Sequence, residues 1–253
     1  MPPSIVVFGA GPGLGRSVAR RYARSGYTVV LVARRQAPLK ELAADLAGIG
    51  ATAHVFTADL SDTDAVPQLA GQIRGVVGDP GAFYYGVSAG GFIPVAALTP
   101  ERAQALMPLA LYSLLALVRE FLPAMLERGD GAILSAQGAS AVRGMPHISG
   151  GFALAAQRNY LQSLHAAVAA QGVYVGGLYI GAAIKHTPFY ERREADKAAG
   201  TSVTDMPEVD PDDLADLLWS MHSTKSQPEA TYRPHRLDPR CDRHRHPPGQ
   251  RSP

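Results

Sequence analysis

Near its start the chain reads Ile5-Val6-Val7-Phe8-Gly9-Ala10-Gly11-Pro12-Gly13-Leu14-Gly15-Arg16-Ser17-Val18-Ala19. The run of Ile, Val and Phe predicts a buried strand, and a helical apolar rhythm begins a few residues later. The glycines between them carry the constraint. Gly9 allows a tight turn at positive φ, while Gly11 and Gly13 let backbone approach a ligand with no Cβ in the way. A helix opening near Gly13 and Leu14 aims its unpaired N–H groups and positive dipole end at the gap, where a pyrophosphate would bind. The glycine pattern alone is a weak signal; strand before and helix after are the context that gives it meaning.

The next apolar run, Thr28-Val29-Val30-Leu31-Val32-Ala33, reads as a second buried strand. In sites that prefer NAD an acidic residue ends this strand and holds the ribose 2′-hydroxyl. Here Ala33 stands there, followed by Arg34 and Arg35. Alanine leaves room and a guanidinium offers the fork that phosphate recognition favours, so the expected cofactor is NADP(H). The competing reading is that the two arginines only solvate a surface turn.

Strand patterns at 4–8, 28–33, 52–57, 82–87, 131–135 and 173–179 alternate with helical ones at 13–25, 37–48, 62–76, 100–126, 152–171 and 211–222. Apolar, non-alternating strands separated by helices predict a single-domain α/β fold, a Rossmann-type doubly wound parallel sheet of six or seven strands. Thr99-Pro100-Glu101 is a helix start. Pro108 should kink the long helix that follows. No linker interrupts residues 1–230. From about Thr231 the Arg/His/Pro mixture lacks apolar content, and a disordered basic tail over 231–253 is expected. His244 and His246 lie there without a partner cluster, so no metal site is expected.

The chain has 253 residues, 46% of them hydrophobic, and a net charge of +2 with much of the basic excess near its end. That distribution argues against a nucleic-acid partner. Ala103 to Met125 is apolar but interrupted by Pro108, Arg119, Glu120 and Pro123, which favours a buried helix over a membrane span. A single cysteine, Cys241, excludes an internal disulfide, and the start lacks a signal-peptide pattern. The expected location is cytoplasmic.

The glycine loop with Gly9, Gly13 and Gly15, together with Thr57-Ala58-Asp59-Leu60 after the third strand, resembles the short-chain dehydrogenase/reductase family. The resemblance covers roughly residues 4–190. It includes Ser88-Ala89-Gly90 at the family's Asn-Asn-Ala-Gly loop, Phe121-Leu122-Pro123-Ala124-Met125 ending the long helix, and Tyr179-Ile180-Gly181 at the family's Pro-Gly. It implies that Asp59, with Leu60, contacts adenine and that Ser88, Ala89 and Gly90 line the cofactor cleft. It further implies that Thr187, shifted from the family position, meets the nicotinamide carboxamide. It also implies a homodimer or homotetramer built through the outer faces of helices 100–126 and 152–171, where Leu111, Leu114, Leu115 and Val118 lie at helical spacing or else face the sheet.

The family's catalytic set does not transfer. Its Tyr, Lys, Ser and Asn positions fall at Gly150, Leu154, Gln137 and Ala110, and neighbouring registers give no Tyr-x-x-x-Lys. The candidate replacements are His147, histidine being the natural substitute acid or base, and Tyr112 on the long helix. His147 reads equally as a loop histidine and Tyr112 as a core aromatic. Ser140 and Ser149 could orient a polar substrate, or simply cap turns. Lys185 and His186 read as nicotinamide contacts or as a solvated lid, and Glu191, Glu194 and Asp196 as an exposed mobile helix. Three functions remain in view. The first is an atypical NADP(H)-dependent oxidoreductase acting on a small carbonyl or alcohol. The second is an NADP(H)-binding protein without redox turnover, a sensor or partner subunit. The third is a non-redox cyclase or isomerase on the same scaffold.

Overall fold

The computed structural model describes residues 2–201, 203 and 205–232. The N-terminal half alternates β1 (Ser4–Phe8), α1 (Leu14–Arg24), β2 (Thr28–Ala33), α2 (Gln36–Gly48), β3 (Ala53–Thr57) and α3 (Val66–Val77). It continues through β4 (Ala82–Tyr85), α4 (Pro100–Met107), α5 (Ser113–Arg128), β5 (Gly131–Gly138), α6 (Gly151–Val168) and β6 (Val173–Ile180). The remainder holds β7 (Ala183–Ile184), α7 (Pro188–Ala198), β8 (Glu208–Val209), α8 (Pro211–Thr224) and β9 (Glu229–Tyr232).

Seven strands form one sheet in the order β3-β2-β1-β4-β5-β6-β9, and every pairing is parallel. Chain order reverses between β1 and β4, which places a crevice beyond their carboxyl ends. Side-chain alternation then assigns the two faces. Ile5, Val7, Val29, Leu31, Tyr84 and Leu134 pack under α1, α2 and α8. Val6, Phe8, Val30, Val32, Phe83 and Ile133 pack under α3, α5 and α6. Both faces are dry, so the strands carry no polar alternation.

The run Pro100–Arg128 is long enough, and over an 18-residue window of mean hydropathy 1.6 apolar enough, to cross a membrane. Here Leu114, Leu117, Phe121 and Met125 are buried in the core that includes Phe8 and Phe83. The expected kink takes a definite form: Pro108–Tyr112 is a π-helical turn between α4 and α5. Such a turn strips carbonyls of their usual partners. Side chains reach several of the carbonyls in and around it. Ser113 Oγ reaches the carbonyls of Pro108 and Leu60, Tyr85 Oη donates to Leu109 O at 2.6 Å, and Gln157 Nε2 donates to Ala110 O.

The end of the chain corrects one boundary. Thr231 and Tyr232, expected to open the tail, belong to β9, which closes the sheet edge beside β6. Arg158 on α6 grips Glu229 in a bidentate pair at 2.7 and 3.0 Å, and Tyr179 Oη joins it at 3.2 Å. Residues 233–253, with Cys241, His244 and His246, lie outside the described residues. A second correction concerns α7. It is a helix, but Arg193 is buried and bridges Glu208 and the Met206 carbonyl, so this segment is pinned to β8 on one side.

Candidate active site

The glycine loop hangs from β2 by two backbone bonds, Gly9 N–H and Ala10 N–H both donating to Val32 O at 2.9 and 3.1 Å. Gly9 sits at φ 89° and Gly13 at φ 82°, where a side chain would be strained. The glycines differ in what surrounds them. A Cβ at Gly9 would meet Gly86 O at 2.8 Å, and one at Gly15 would collide with Gly9 O. These two close the turn. At Gly11 a Cβ would meet nothing within 4 Å, so this is the open wall of the loop. Helix α1 begins with no side-chain cap and no acidic residue in its first turn. Its positive end is therefore uncompensated beside that open wall. Leu14 itself is buried against the core.

Around the corner, Arg34 and Asp59 line one shallow depression of about 330 Å³ with Thr57 and Ala58. An adjoining hollow of about 320 Å³ is lined by Leu60, Asp62, Val66, Leu69 and others of α3. Asp59 Oδ1 accepts from the Ser61 N–H at 3.0 Å and the Ser61 hydroxyl at 2.7 Å. Those bonds, with Arg34 nearby, hold its carboxyl below the usual carboxylate range. Arg34 and Arg35 are exposed, and neither guanidinium has a hydrogen bond or ion pair among the described residues. Leu60 is buried, with its carbonyl within reach of Ser113 Oγ.

Thr187 lies against this loop: its methyl would sit 2.6 Å from a Cβ at Gly13. Its hydroxyl donates to Ile184 O and accepts from Tyr190 N–H, so it caps α7. His186, just before it, turns the chain at φ 63°.

The other wall is built by backbone packing. Ser88 and Gly90 are exposed and Ala89 partly so. Gly150 N–H donates to Gly91 O and Ser149 N–H to Ile93 O, both at 3.0 Å, and Ser149 Oγ bonds Gly91 O at 3.1 Å. A Cβ on Gly150 would lie 2.7 Å from Gly90 O, and one on Gly91 would lie 2.6 Å from Gly150 Cα. The start of α6 and the loop after β4 thus touch through glycine. Beyond them Phe92 and Phe189 stack at 5.3 Å between centroids, joining that loop to α7.

His147 and Tyr112 are both exposed, Tyr112 by 46%, so Tyr112 is no core aromatic. No hydrogen bond joins either to the other, to Gln137 or to the glycine loop. What sequence reading missed is Gln157. It is 1% exposed and ties the Ala110 carbonyl to Ser135, whose Oγ lies 2.9 Å from Gln157 Oε1 and 3.3 Å from Gln137 Nε2. A glutamine among the alanines of a helix facing the sheet was the available signal. Among the described residues no group of His, Cys, Asp and Glu could hold a metal ion.

A sequence model described as short chain dehydrogenase matches residues 3–198. The chain belongs to that family. It is 30% identical over 222 residues to 1-deoxy-11-beta-hydroxypentalenate dehydrogenase of Streptomyces exfoliatus, covering 85% of this chain and 77% of that one. An uncharacterized oxidoreductase of Mycobacterium bovis is 42% identical over 77 residues, but the match spans only 29% of this chain and 23% of that protein. The fold is that of a short chain oxidoreductase from Pseudomonas aeruginosa PAO1, solved with NADPH bound and described as containing an atypical catalytic center. The TM-score is 0.78 at 21% identity, over 90% of this chain and 95% of the other.

Proposed function

We propose that this short chain dehydrogenase binds NADP(H) between Gly9 and Gly15, with Arg34 on the 2′-phosphate and Asp59 on adenine, and acts on a small carbonyl or alcohol. One observation carries the reading: the open Gly11 wall and uncapped α1 follow β1, and the depression shared by Arg34 and Asp59 follows its parallel neighbours β2 and β3 at the same end of the sheet. The residues fit the cofactor: backbone donors for a pyrophosphate, a free guanidinium for a phosphate, a carboxylate for an exocyclic amine. When bound, the cofactor supplies or takes the hydride. The protein's own task is to hold the substrate and move a proton.

Gly150 and Leu154 can move no proton, so that task passes to another group. His147, on the loop that enters α6, is the first choice and Tyr112 the second. Calorimetry on Arg34→Ala should show NADPH weakened about tenfold or more with NADH nearly unchanged, because a charge-assisted contact is lost. Equal weakening of both nucleotides overturns the assignment. His147→Ala should lower NADPH-dependent turnover of a carbonyl panel by roughly 10²–10⁴; an unchanged pH–rate profile removes His147.

A second reading, NADP(H) binding without redox turnover, draws on the glycine contact between Gly91 and Gly150, which leaves no room for a side chain where the family carries its acid. Tight NADPH binding with no oxidation by any carbonyl would decide for it. In either case we expect a homodimer or homotetramer through the outer faces of 100–128 and α6, where Leu111 and Leu115 are only partly buried; a monomer in sedimentation at micromolar concentration contradicts this.

A further inference from the structure

Parallel pairing of β4, β5 and β6 puts the loops that follow them at one end of the sheet, the end where such sheets bind ligands. The loops brace one another there. Val95 N–H donates to Pro146 O at 2.9 Å, Ser149 N–H donates to Ile93 O at 3.0 Å, and Phe92 stacks on Phe189. Lys185 comes up to the nucleotide loop, its carbonyl 3.5 Å from where a Cβ on Gly13 would lie. These three segments form a rim on the far side of β1 from Arg34 and Asp59.

The charges on this rim have one sign. Residues 86–99, 137–154 and 180–190 hold no Asp or Glu, although the chain carries 22, yet they hold Arg143, His147, Lys185 and His186. None of these four side chains has a hydrogen bond or ion pair among the described residues. A solvated surface ordinarily intersperses both signs. The nucleotide side does so, with Arg34 near Asp59 and with Asp62 and Asp64 beyond. The rim also gathers apolar exposure. Of the eight large hydrophobic side chains exposed among the described residues, Phe92, Val95, Val142, Phe152 and Phe189 lie in it. Single exposed apolar residues are ordinary, whereas a concentration of them marks a contact surface.

We propose that the small molecule taken at this rim carries a carboxylate on an apolar skeleton. Arg143 and Lys185 attract the carboxylate, and the phenylalanine patch covers the skeleton. Two full positive charges with no acid beside them leave the field at the rim unopposed. A neutral apolar molecule would use the rings and leave that field idle. A compact polyanion would do the reverse. One anionic group on an apolar body uses both. This deepens the oxidoreductase reading above and rests on it, since the same crevice has to bring the molecule to the cofactor.

Ligand-detected NMR titrations of the full chain with cyclohexanecarboxylate and its methyl ester, each with and without NADP⁺, test the proposal. In about 0.02 M salt the wild type should bind the acid about fivefold more tightly than the ester, the scale of one charge contact near solvent. In about 0.5 M salt the two should come within about twofold, because exposed charges are screened. Arg143→Gln combined with Lys185→Gln should abolish the preference and keep the urea midpoint, since neither side chain bonds to the fold. Arg24→Gln removes an exposed charge at the end of α1, away from the rim, and should leave the preference intact. Equal binding of acid and ester by the wild type overturns the proposal. So does a preference that survives the double change, or one that falls as far in Arg24→Gln. Weaker NADP⁺ binding by Lys185→Gln with the acid preference intact gives Lys185 to the cofactor and overturns its role here. Binding to phosphatidylserine vesicles without any acid preference gives the rim to a membrane surface instead. Failure of NADP⁺ to bind overturns the cofactor reading, and the titrations without nucleotide still report on the rim.

Discussion

The two sides of the crevice are built from different materials. Around β1 and α1 the polar groups are backbone N–H groups, aimed by a loop whose bonds run from Gly9 to Val32 and from Arg16 back to Gly11. Around β5 and α6 they are side chains: Ser135 bonds to Tyr85 and Gln157, 50 and 22 residues away, Gln157 to a helix carbonyl 47 residues upstream, and Gln137 to Ser135. A backbone-built site depends on where Cβ atoms are absent. A side-chain-built site depends on which distant elements meet. The first tolerates changes of residue type except at its tight glycines, and the second can be rewired one residue at a time while the sheet stays in place.

The two sides should differ most at the glycines. Gly15→Ala drives a methyl into Gly9 O and should cost about 3 kcal/mol or more, read as a fall in the urea midpoint. Gly11→Ala has open space and should leave that midpoint within about 0.5–1 kcal/mol while weakening NADPH in calorimetry. Equal loss of stability in both variants would show that Gly11 is structural too.

This contrast also explains what could be read before any fold was known. Gly9, Gly11, Gly13 and Gly15 with the flanking apolar runs are local, and strand periodicity is local, so the parallel sheet was legible. β9 was not: Glu229, Ala230, Thr231 and Tyr232 form a strand because β6 offers an edge and Arg158 holds Glu229, neither of which the four residues announce. Gln157 was hidden for the same reason. Its meaning comes from Ala110, whose carbonyl lies in the π turn that Pro108 begins and accepts from Gln157. Pro108 was legible as a disturbance, but its form was set by Ser113, Tyr85 and Gln157.

On the side-chain-built side, Gln157→Leu should cost about 2–3 kcal/mol in the urea midpoint, because it removes a buried partner from both the Ala110 carbonyl and Ser135 Oγ. NADPH affinity should fall far less, since the nucleotide loop is not touched. A matching loss of nucleotide affinity would mean that the two walls are coupled through the sheet.

The seam that joins the two regions lies at the other end of the sheet, where α8 covers α1. Tyr22, Tyr27, Trp219 and His222 pack edge to face and in stacks, with Tyr174 completing the cluster, and Tyr22 Oη meets His222 Nδ1 at 2.8 Å. Burial, with Lys225 adding to it against Asp130, pushes His222 down from 6.5 to about 4. Unfolding therefore takes up a proton between those values. The stability this buried neutral ring contributes is present above about pH 6.5 and is lost as pH falls toward 4. By pH 5 the loss should be about 1–2 kcal/mol, seen as a falling urea midpoint. His222→Phe should flatten that slope; a slope that persists places the titration elsewhere.

The smallest expected effect is at the sheet edge. Arg158 and Glu229 are 29% and 26% exposed, so their pair is neither a free surface contact nor a sealed one. Both guanidinium arms engage the carboxylate, and the ring of Tyr179 lies 5.4 Å beneath the charge. Bidentate geometry raises such a pair above the ordinary surface value, while remaining solvent keeps it below that of a buried one. Arg158→Met keeps the aliphatic stem over Tyr179 and removes the fork, and should cost about 1 kcal/mol. Because among the described residues β9 pairs only with β6, the loss should be local. Amide exchange should quicken at Gly177 and Gly181, whose N–H groups donate to Pro228 O and Tyr232 O at 2.9 Å, and stay unchanged at Gly9 and Ala10. Exchange that quickens equally at the glycine loop would show that the edge strand and the nucleotide side unfold as one unit, and would undo the division from which the comparison starts.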